Sequence, residues 1–264
     1  MCIRDRTWIE EWQTILVRPG SGIRSAADLK GKRLALPAWG ENRPGSIARA
    51  MSLHGYKGAL SLAGLSFDDV TLVEVALADQ DAAPTPEQGL QRLWSGLDYL
   101  VRGEVDAVYV KGASAADAAR RLGLEVGIDL DQIEDPRYRI NNGTPRPITV
   151  HQNLLDEHFD LVVRFLAQTL RAAEWAKDNR EGVLRILQDE TRAGAEGVDE
   201  AYRGDFHTTL APDLSEQRLA FLDVQKTFLN LHGFLEADFA LADWVDPRPL
   251  QAARQLLAER NKRA

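Results

Sequence analysis

The sequence predicts an α/β fold on three observations. Short aliphatic runs alternate with amphipathic stretches between Ile15 and Ile128, and capping boxes and stop glycines mark the helices between them. The chain's 264 residues, 44% hydrophobic and 27% charged, suffice for one large domain or two small ones. Strands that alternate with helices point further to a mainly parallel sheet.

Ile15 to Arg18 reads as the first strand. Ser25-Ala26-Ala27-Asp28 is a capping box that opens a short helix, Gly31 stops it, and Arg33 to Leu36 is the next strand. The loop Pro37 to Gly45 leads into a helix around Ser46 to His54, after which Lys57 to Leu65 favours neither helix nor strand. Val70 to Val75 reads as a buried strand. The polar loop Ala76 to Pro86 ends in Thr85-Pro86-Glu87-Gln88, a capping box with proline at the first helical position, and helix Gln88 to Arg102 stops at Gly103. Val105 to Val110 is a strand, Ser114 to Leu122 a helix opened by Ser114-Ala115-Ala116-Asp117 and closed by Gly123, and Leu124 to Ile128 another strand.

Beyond Asp131 the character changes. Turn signals at Pro136, Asn141-Asn142-Gly143 and Pro145 precede one strand, Ile148 to His151, and the rest reads as helical. Phe159, Val162, Val163, Leu166, Leu170 and Ala173 recur at helical spacing, behind the acidic Asp156, Glu157 and Asp160. A helix from Ser215 to His232 places Phe221, Val224, Phe228 and Leu231 on one face and stops at Gly233; a last helix buries Leu250, Ala253 and Leu257. No internal repeat, low-complexity tract or Gly/Ser linker separates independent domains.

A net charge of -8 with dispersed Lys and Arg argues against a nucleic-acid surface. The apolar runs fall short of the roughly 20 residues that span a bilayer. The one cysteine is Cys2, so no disulfide, cysteine-based metal site or native thiol nucleophile is expected. Met1 to Arg6 reads as a scar that resembles translated adapter sequence, with the protein entered midway; the lack of a signal peptide then says nothing about location. On that expectation the chain exposes apolar sheet edges and is aggregation-prone.

Three phrases in order carry a resemblance. They are Ile15-Leu16-Val17-Arg18 followed by Ser25 to Pro37, then Gly103-Glu104-Val105-Asp106-Ala107-Val108-Tyr109-Val110, then Phe159 to Asp178 with Phe165-Leu166 and Ala173-Glu174-Trp175-Ala176. Together they resemble the type II periplasmic-binding-protein-like fold, in the nitrate, sulfonate, taurine and thiamine-precursor (NMT1/THI5-like) branch of ABC-transporter substrate-binding proteins. The similarity spans nearly all of Gln13 to Leu257. It implies two α/β lobes with an incomplete first lobe: 1–11 as leader scar and incomplete start, 12–26 as the end of lobe 1 and the crossover, 27–140 as lobe 2, and 141–264 as the mostly helical return to lobe 1. The Ala26 to Ala35 and Gly204 to Trp244 regions also resemble the hydroxybiphenyl sulfinate desulfinases of thiophene desulfurisation, which share the fold. That family's catalytic cysteine, histidine and arginine lie early in its chain, so no position here matches them.

In open α/β sheets, ligands sit outside the carboxyl ends of the strands. The first candidate loop contains Trp39, Asn42, Arg43, Gly45 and Ser46: a helix start with free N–H groups favours an anion, Arg43 adds a planar donor fork, and Trp39 an apolar wall. An ordinary loop with Ser46 as its cap is the plain alternative. The second candidate is Tyr109 and Lys111, with Gly112 allowing close approach; a solvated lysine before a capped helix is the slightly favoured alternative. The third is Asn141, Asn142 and Thr144 at the crossover, where hinge and ligand contacts often coincide, against a plain Asn-Gly turn.

His54, His151, His158, His207 and His232 include no metal-binding pair, and the acidic stretch Asp68 to Glu87 lacks the spacing of a calcium loop. No Ser-His-Asp order or phosphate-binding glycine loop is present. The expectation is a binding protein without cofactor that closes on a small anionic solute such as a sulfonate. Its partner is an ABC permease, its location extracytoplasmic, and it is a monomer when full length. The alternative is a cytoplasmic, desulfinase-like C–S hydrolase; a sensor domain of a transcription regulator would need a helix-turn-helix upstream.

Overall fold

A computed structural model describes residues 11–41, 46–76, 96–140 and 147–262. Among these residues five strands form one sheet: β1 (Gln13–Val17), β2 (Arg33–Pro37), β3 (Thr71–Val75), β4 (Ala107–Lys111) and β5 (Glu125–Asp129), in the order β3-β2-β4-β1-β5. The sheet is mixed, which corrects the mainly parallel expectation. β2 runs parallel to β3 and β4, whereas β1 is antiparallel to both β4 and β5. β1 slots between two parallel neighbours with all five residues buried, and its one polar hydroxyl, Thr14, donates to Ile128 O at 2.7 Å.

The first half adds α1 (Ile47–Leu62), α2 (Leu97–Arg102) and α3 (Ala113–Arg121). The Ser25 capping box forms, on a 3-10 turn over Ala26–Leu29: the Asp28 carboxylate accepts the Ser25 N–H at 2.9 Å. α1 is two turns longer than the sequence suggests, because Gly55 and Gly58, which weaken a helical pattern, are used for close packing. α2 is described only from Leu97, and its expected start at Thr85 to Gln88 lies outside the described residues.

Three expectations fail here. α3 begins at Ala113 behind Gly112 at φ 82°, and Ser114 does not cap it: its hydroxyl donates to Thr191 O, while Asp117 accepts the Gly194 N–H at the start of a later helix. Tertiary partners outcompete the local box. β3 is not buried; it is an edge strand in which only Val75 is covered. Ile148 to His151 is not a strand: among the described residues no strand pairs with it, and Ile148 and Val150 pack against helices instead.

The second half is helical: α4 (Gln152–Glu157), α5 (Phe159–Lys177), α6 (Arg180–Thr191), α7 (Ala195–Ala201), α8 (Glu216–Leu231), α9 (Leu241–Trp244) and α10 (Arg248–Asn261). α5 spans two cores. Its Ala173 and Ala176 join the main cluster around the sheet, and its Val162, Val163 and Leu166 join a smaller one with Leu250 and Ala253 of α10. α8 is the fifth correction: of Phe221, Val224, Phe228 and Leu231 only Phe228 is buried, and Leu231 is 77% exposed. Phe228 and Phe234 form a third small cluster with Leu36, Ala50 and Leu53.

Candidate functional site

The strand registers bring five residues to one edge of the sheet: Val75, Pro37, Lys111, Gln13 and Asp129, at the carboxyl ends of β2 to β5 and the amino end of β1. β2 connects to β3 on one side, and the chain then returns as β4 on the other. The strand order therefore reverses between β2 and β4, the place where a crevice opens in such sheets.

The switch point is fastened at its base. Arg33 grips Asp106 through its Nε at 3.1 Å, its Nη2 at 2.7 Å and its backbone N–H at 2.9 Å, and donates to Gly103 O as well. The Arg33 hydrogen bond foremost holds the Asp106 carboxyl below the usual range. Above that point β2 and β4 share one register pair, Leu34 with Ala107, whereas β2 and β3 stay paired from Arg33 to Pro37. The Tyr56 hydroxyl stands between the strands: it donates to Ala35 O at 2.8 Å and accepts the Tyr109 N–H at 2.9 Å. Burial pushes the Tyr56 phenol up, so it stays a neutral donor and acceptor.

On the β2 side of the mouth, Trp39 is 46% exposed, with its ring tilted on Phe234 at 4.8 Å and Arg49 over it at 5.0 Å. Arg49 also donates to Pro37 O at 2.8 Å and pairs with Glu74 at 2.9 Å, which fixes it behind the indole. Ser46 is buried and its hydroxyl accepts the Gly40 N–H at 3.0 Å, so it closes the loop on itself. Asn42, Arg43 and Gly45 lie outside the described residues, as do Asn141, Asn142 and Thr144.

On the β4 side, Lys111 is buried and pairs with Glu11 at 3.0 Å, which corrects the reading of a solvated lysine. Tyr202 donates to the same carboxylate at 3.4 Å. The Tyr109 ring is buried against Gly55 and its hydroxyl donates to Gln13 Oε1 at 2.9 Å; Gln13 Nε2 donates to Arg139 O at 3.1 Å. A hydrogen-bonded chain thus crosses the sheet edge from Ala35 to Arg139. The sequence reading missed Tyr56, Arg49, Gln13 and Glu11. The available signal was Gly55 and Gly58 inside a helix, where any Cβ would run into Tyr109 or the Tyr138 carbonyl.

On another face of α1, His54 stacks on Phe228 at 4.1 Å, and the His232 ring lies 4.3 Å from the same phenyl. Burial, then Lys57 and His232, push the His54 imidazole down to about 4. Away from the sheet, a cavity of about 200 Å³ lies among the helices between Ile148, Leu166, Leu222 and Trp244. Among the described residues no group of three or more His, Cys, Asp or Glu is placed to hold a metal ion, and no helix is long and apolar enough to cross a membrane.

No protein-family profile matches the chain. The chain is 25% identical over 266 residues to the 2'-hydroxybiphenyl-2-sulfinate desulfinase of Rhodococcus erythropolis, covering 89% of this chain and 70% of that protein. A second such desulfinase, from Rhodococcus qingshengii, matches equally. Among solved structures, the desulfurization enzyme DszB superposes with a TM-score of 0.71 at 22% identity, over 94% of this chain and 77% of the enzyme. The periplasmic sulfonate-binding protein SsuA of Methylobacillus flagellatus superposes at 0.63 and 16%, over 95% and 68%. SsuA of Xanthomonas axonopodis pv. citri, bound to MOPS, gives 0.54 and 17%, over 90% and 73%. The chain therefore has the two-lobe, mixed α/β, periplasmic-binding-protein-like fold that sulfonate-binding proteins share with a sulfinate desulfinase.

Proposed function

We propose that this chain captures a small organic anion, a sulfonate or sulfinate, in the crevice between β2 and β4, as the substrate-binding component of an ABC transporter. The observation that supports this reading is the strand reversal at β2 and β4, with Trp39 and the α1 start following β2 in the chain and Lys111 ending β4. Trp39 offers an apolar ring half open to solvent, the first N–H groups of α1 favour negative charge, and Lys111, held in its pair with Glu11, stiffens the β4 wall. Asn42, Arg43, Gly45 and Ser46 complete the loop, Tyr109 orders the edge through Gln13, and Asn141, Asn142 and Thr144 belong to the crossover. The segments 12–26, 27–140 and 141–264 act as crossover, second lobe and return in a closure about the ligand. A permease is then the protein partner, the location is extracytoplasmic, and the full-length protein is a monomer.

A second reading is favoured by the 25% identity over 89% of the chain with sulfinate desulfinases: release of sulfite from an aryl sulfinate. A variant of the structurally similar enzyme with serine in place of a cysteine holds biphenyl-2-sulfinic acid. The only cysteine here, Cys2, lies outside the described residues, and none of the described residues is a thiol nucleophile. One experiment separates the readings. The protein is titrated calorimetrically with methanesulfonate, MOPS and biphenyl-2-sulfinate, and sulfite is assayed in the last mixture. Saturable binding without sulfite supports capture; catalytic release of sulfite supports the desulfinase; no heat with any of the three overturns both.

A further inference from the structure

We infer that the Tyr56 hydroxyl is a wedge that sets the separation of β2 and β4 at their carboxyl ends, and so makes Tyr56 the positioning residue that fixes the width of the crevice. The width claim rests on the proposed anion site; the wedge itself does not. Leu34 pairs with Ala107 in a parallel ladder, and continuing that register sets Leu36 beside Tyr109. The next ladder bond would run from the Tyr109 N–H to Ala35 O. Those two groups are the ones that Tyr56 bonds, at 2.9 and 2.8 Å. Two hydrogen bonds in series thus replace one of about 2.9 Å, and the strands must splay by the thickness of an oxygen.

The surroundings are built for this insertion. Arg33 and Asp106 clamp the same two strands two residues below, so the splay begins at a defined point. Gly55 has no Cβ to strike the Tyr109 ring, and Gly58 lies against the Tyr138 carbonyl, so α1 sinks far enough for the phenol to reach between the strands. Tyr56 is fully buried and touches no open surface, so it acts on a ligand only through strand spacing. Trp39 follows β2 and Lys111 ends β4; the wedge therefore sets the distance between the two walls of the mouth.

Y56F is compared with the wild type and with L60A, a core variant on the same helix whose side chain has no group to hydrogen-bond either strand. The probes are methanesulfonate and biphenyl-2-sulfinate. Y56F is expected to weaken the biphenyl acid by about tenfold or more while methanesulfonate stays within about threefold, with L60A changing the ratio for neither. A crystal structure of Y56F should show the Tyr109 N–H bonded directly to Ala35 O at about 2.9 Å. An unchanged affinity ratio with the strands still apart overturns the inference, as does the same ratio change in L60A. If the wild type binds neither acid, the capture reading fails, and the Y56F structure alone then decides the wedge.

Discussion

The sheet region and the helical region of this molecule use apolar residues differently. Around the sheet, Trp12, Ile15, Leu16, Leu34, Tyr56, Leu100 and Val110 are essentially sealed from water and belong to one continuous core. Among the helices, Leu161, Phe165, Ile186, Val224 and Leu231 stand on helical faces yet remain exposed, and the buried clusters are small. Charges follow the same division. Lys111 and Glu11 are nearly buried and close, whereas Arg185 and Glu181 on α6 lie 4.0 Å apart in open solvent. The lesson is that the sheet edge is fixed by buried packing and paired polar groups, whereas the outer helices leave more of their apolar surface to solvent and bury it in smaller clusters.

The largest test of that difference is electrostatic. Lys111→Met leaves the Glu11 carboxylate desolvated without its cation and should cost about 3–5 kcal/mol in urea unfolding. Arg185→Met, which removes an exposed pair, should change stability by less than about 0.5 kcal/mol. Equal effects from the two variants would abolish the distinction between the regions.

A middle-sized effect lies at the seam between the regions. His54 on α1 stacks on Phe228 of α8 with its ionisation pushed down to about 4, whereas the seam between α5 and α10 buries no titratable group. Lys57 and His232 are the charged and titratable groups that act on it. A depressed histidine means that the unfolded chain binds the proton more readily. The stability it contributes is therefore full above about pH 6.5 and is lost as pH falls toward 4. Between pH 7.5 and 5.0 the loss should be about 2 kcal/mol in urea unfolding, and His54→Phe should remove that part of the slope. A wild-type slope unchanged in H54F would mean that other groups carry the acid sensitivity.

Much of the fold is legible in the sequence, because strands such as Arg33 to Leu36 and helices such as Phe159 to Asp178 satisfy local rules that packing does not contradict. Where packing overrides local preference, the reading fails. Asp117 looks like a cap three residues after Ser114 but binds Gly194 across the structure. Ile148 to His151 has strand composition but no partner strand. The two loops of the candidate site follow from strand order, which is why Trp39, Ser46 and Lys111 come to one edge. Tyr56 and Glu11 could not be found that way. A tyrosine in mid-helix is ordinary by spacing, and its hydroxyl gains meaning only from two strands brought together by non-local pairing.

The smallest effect tests periodicity against packing on a single helix. Phe228 and Leu231 share a face of α8 by spacing, yet Phe228 is 4% exposed between His54 and His232 while Leu231 is 77% exposed. Replacing Phe228 with alanine removes a buried ring from the seam, whereas Leu231→Ser exchanges one exposed side chain for another. L231S should shift the unfolding free energy by no more than about 0.5 kcal/mol, because its folded and unfolded surroundings are both water. The urea midpoint of L231S, taken at two protein concentrations, measures this. A loss well beyond that value would mean that Leu231 is covered in solution. A loss found only at the higher concentration would identify the cover as a second copy of the chain, and the apolar exposure of the helical region would then be a property of the isolated protomer.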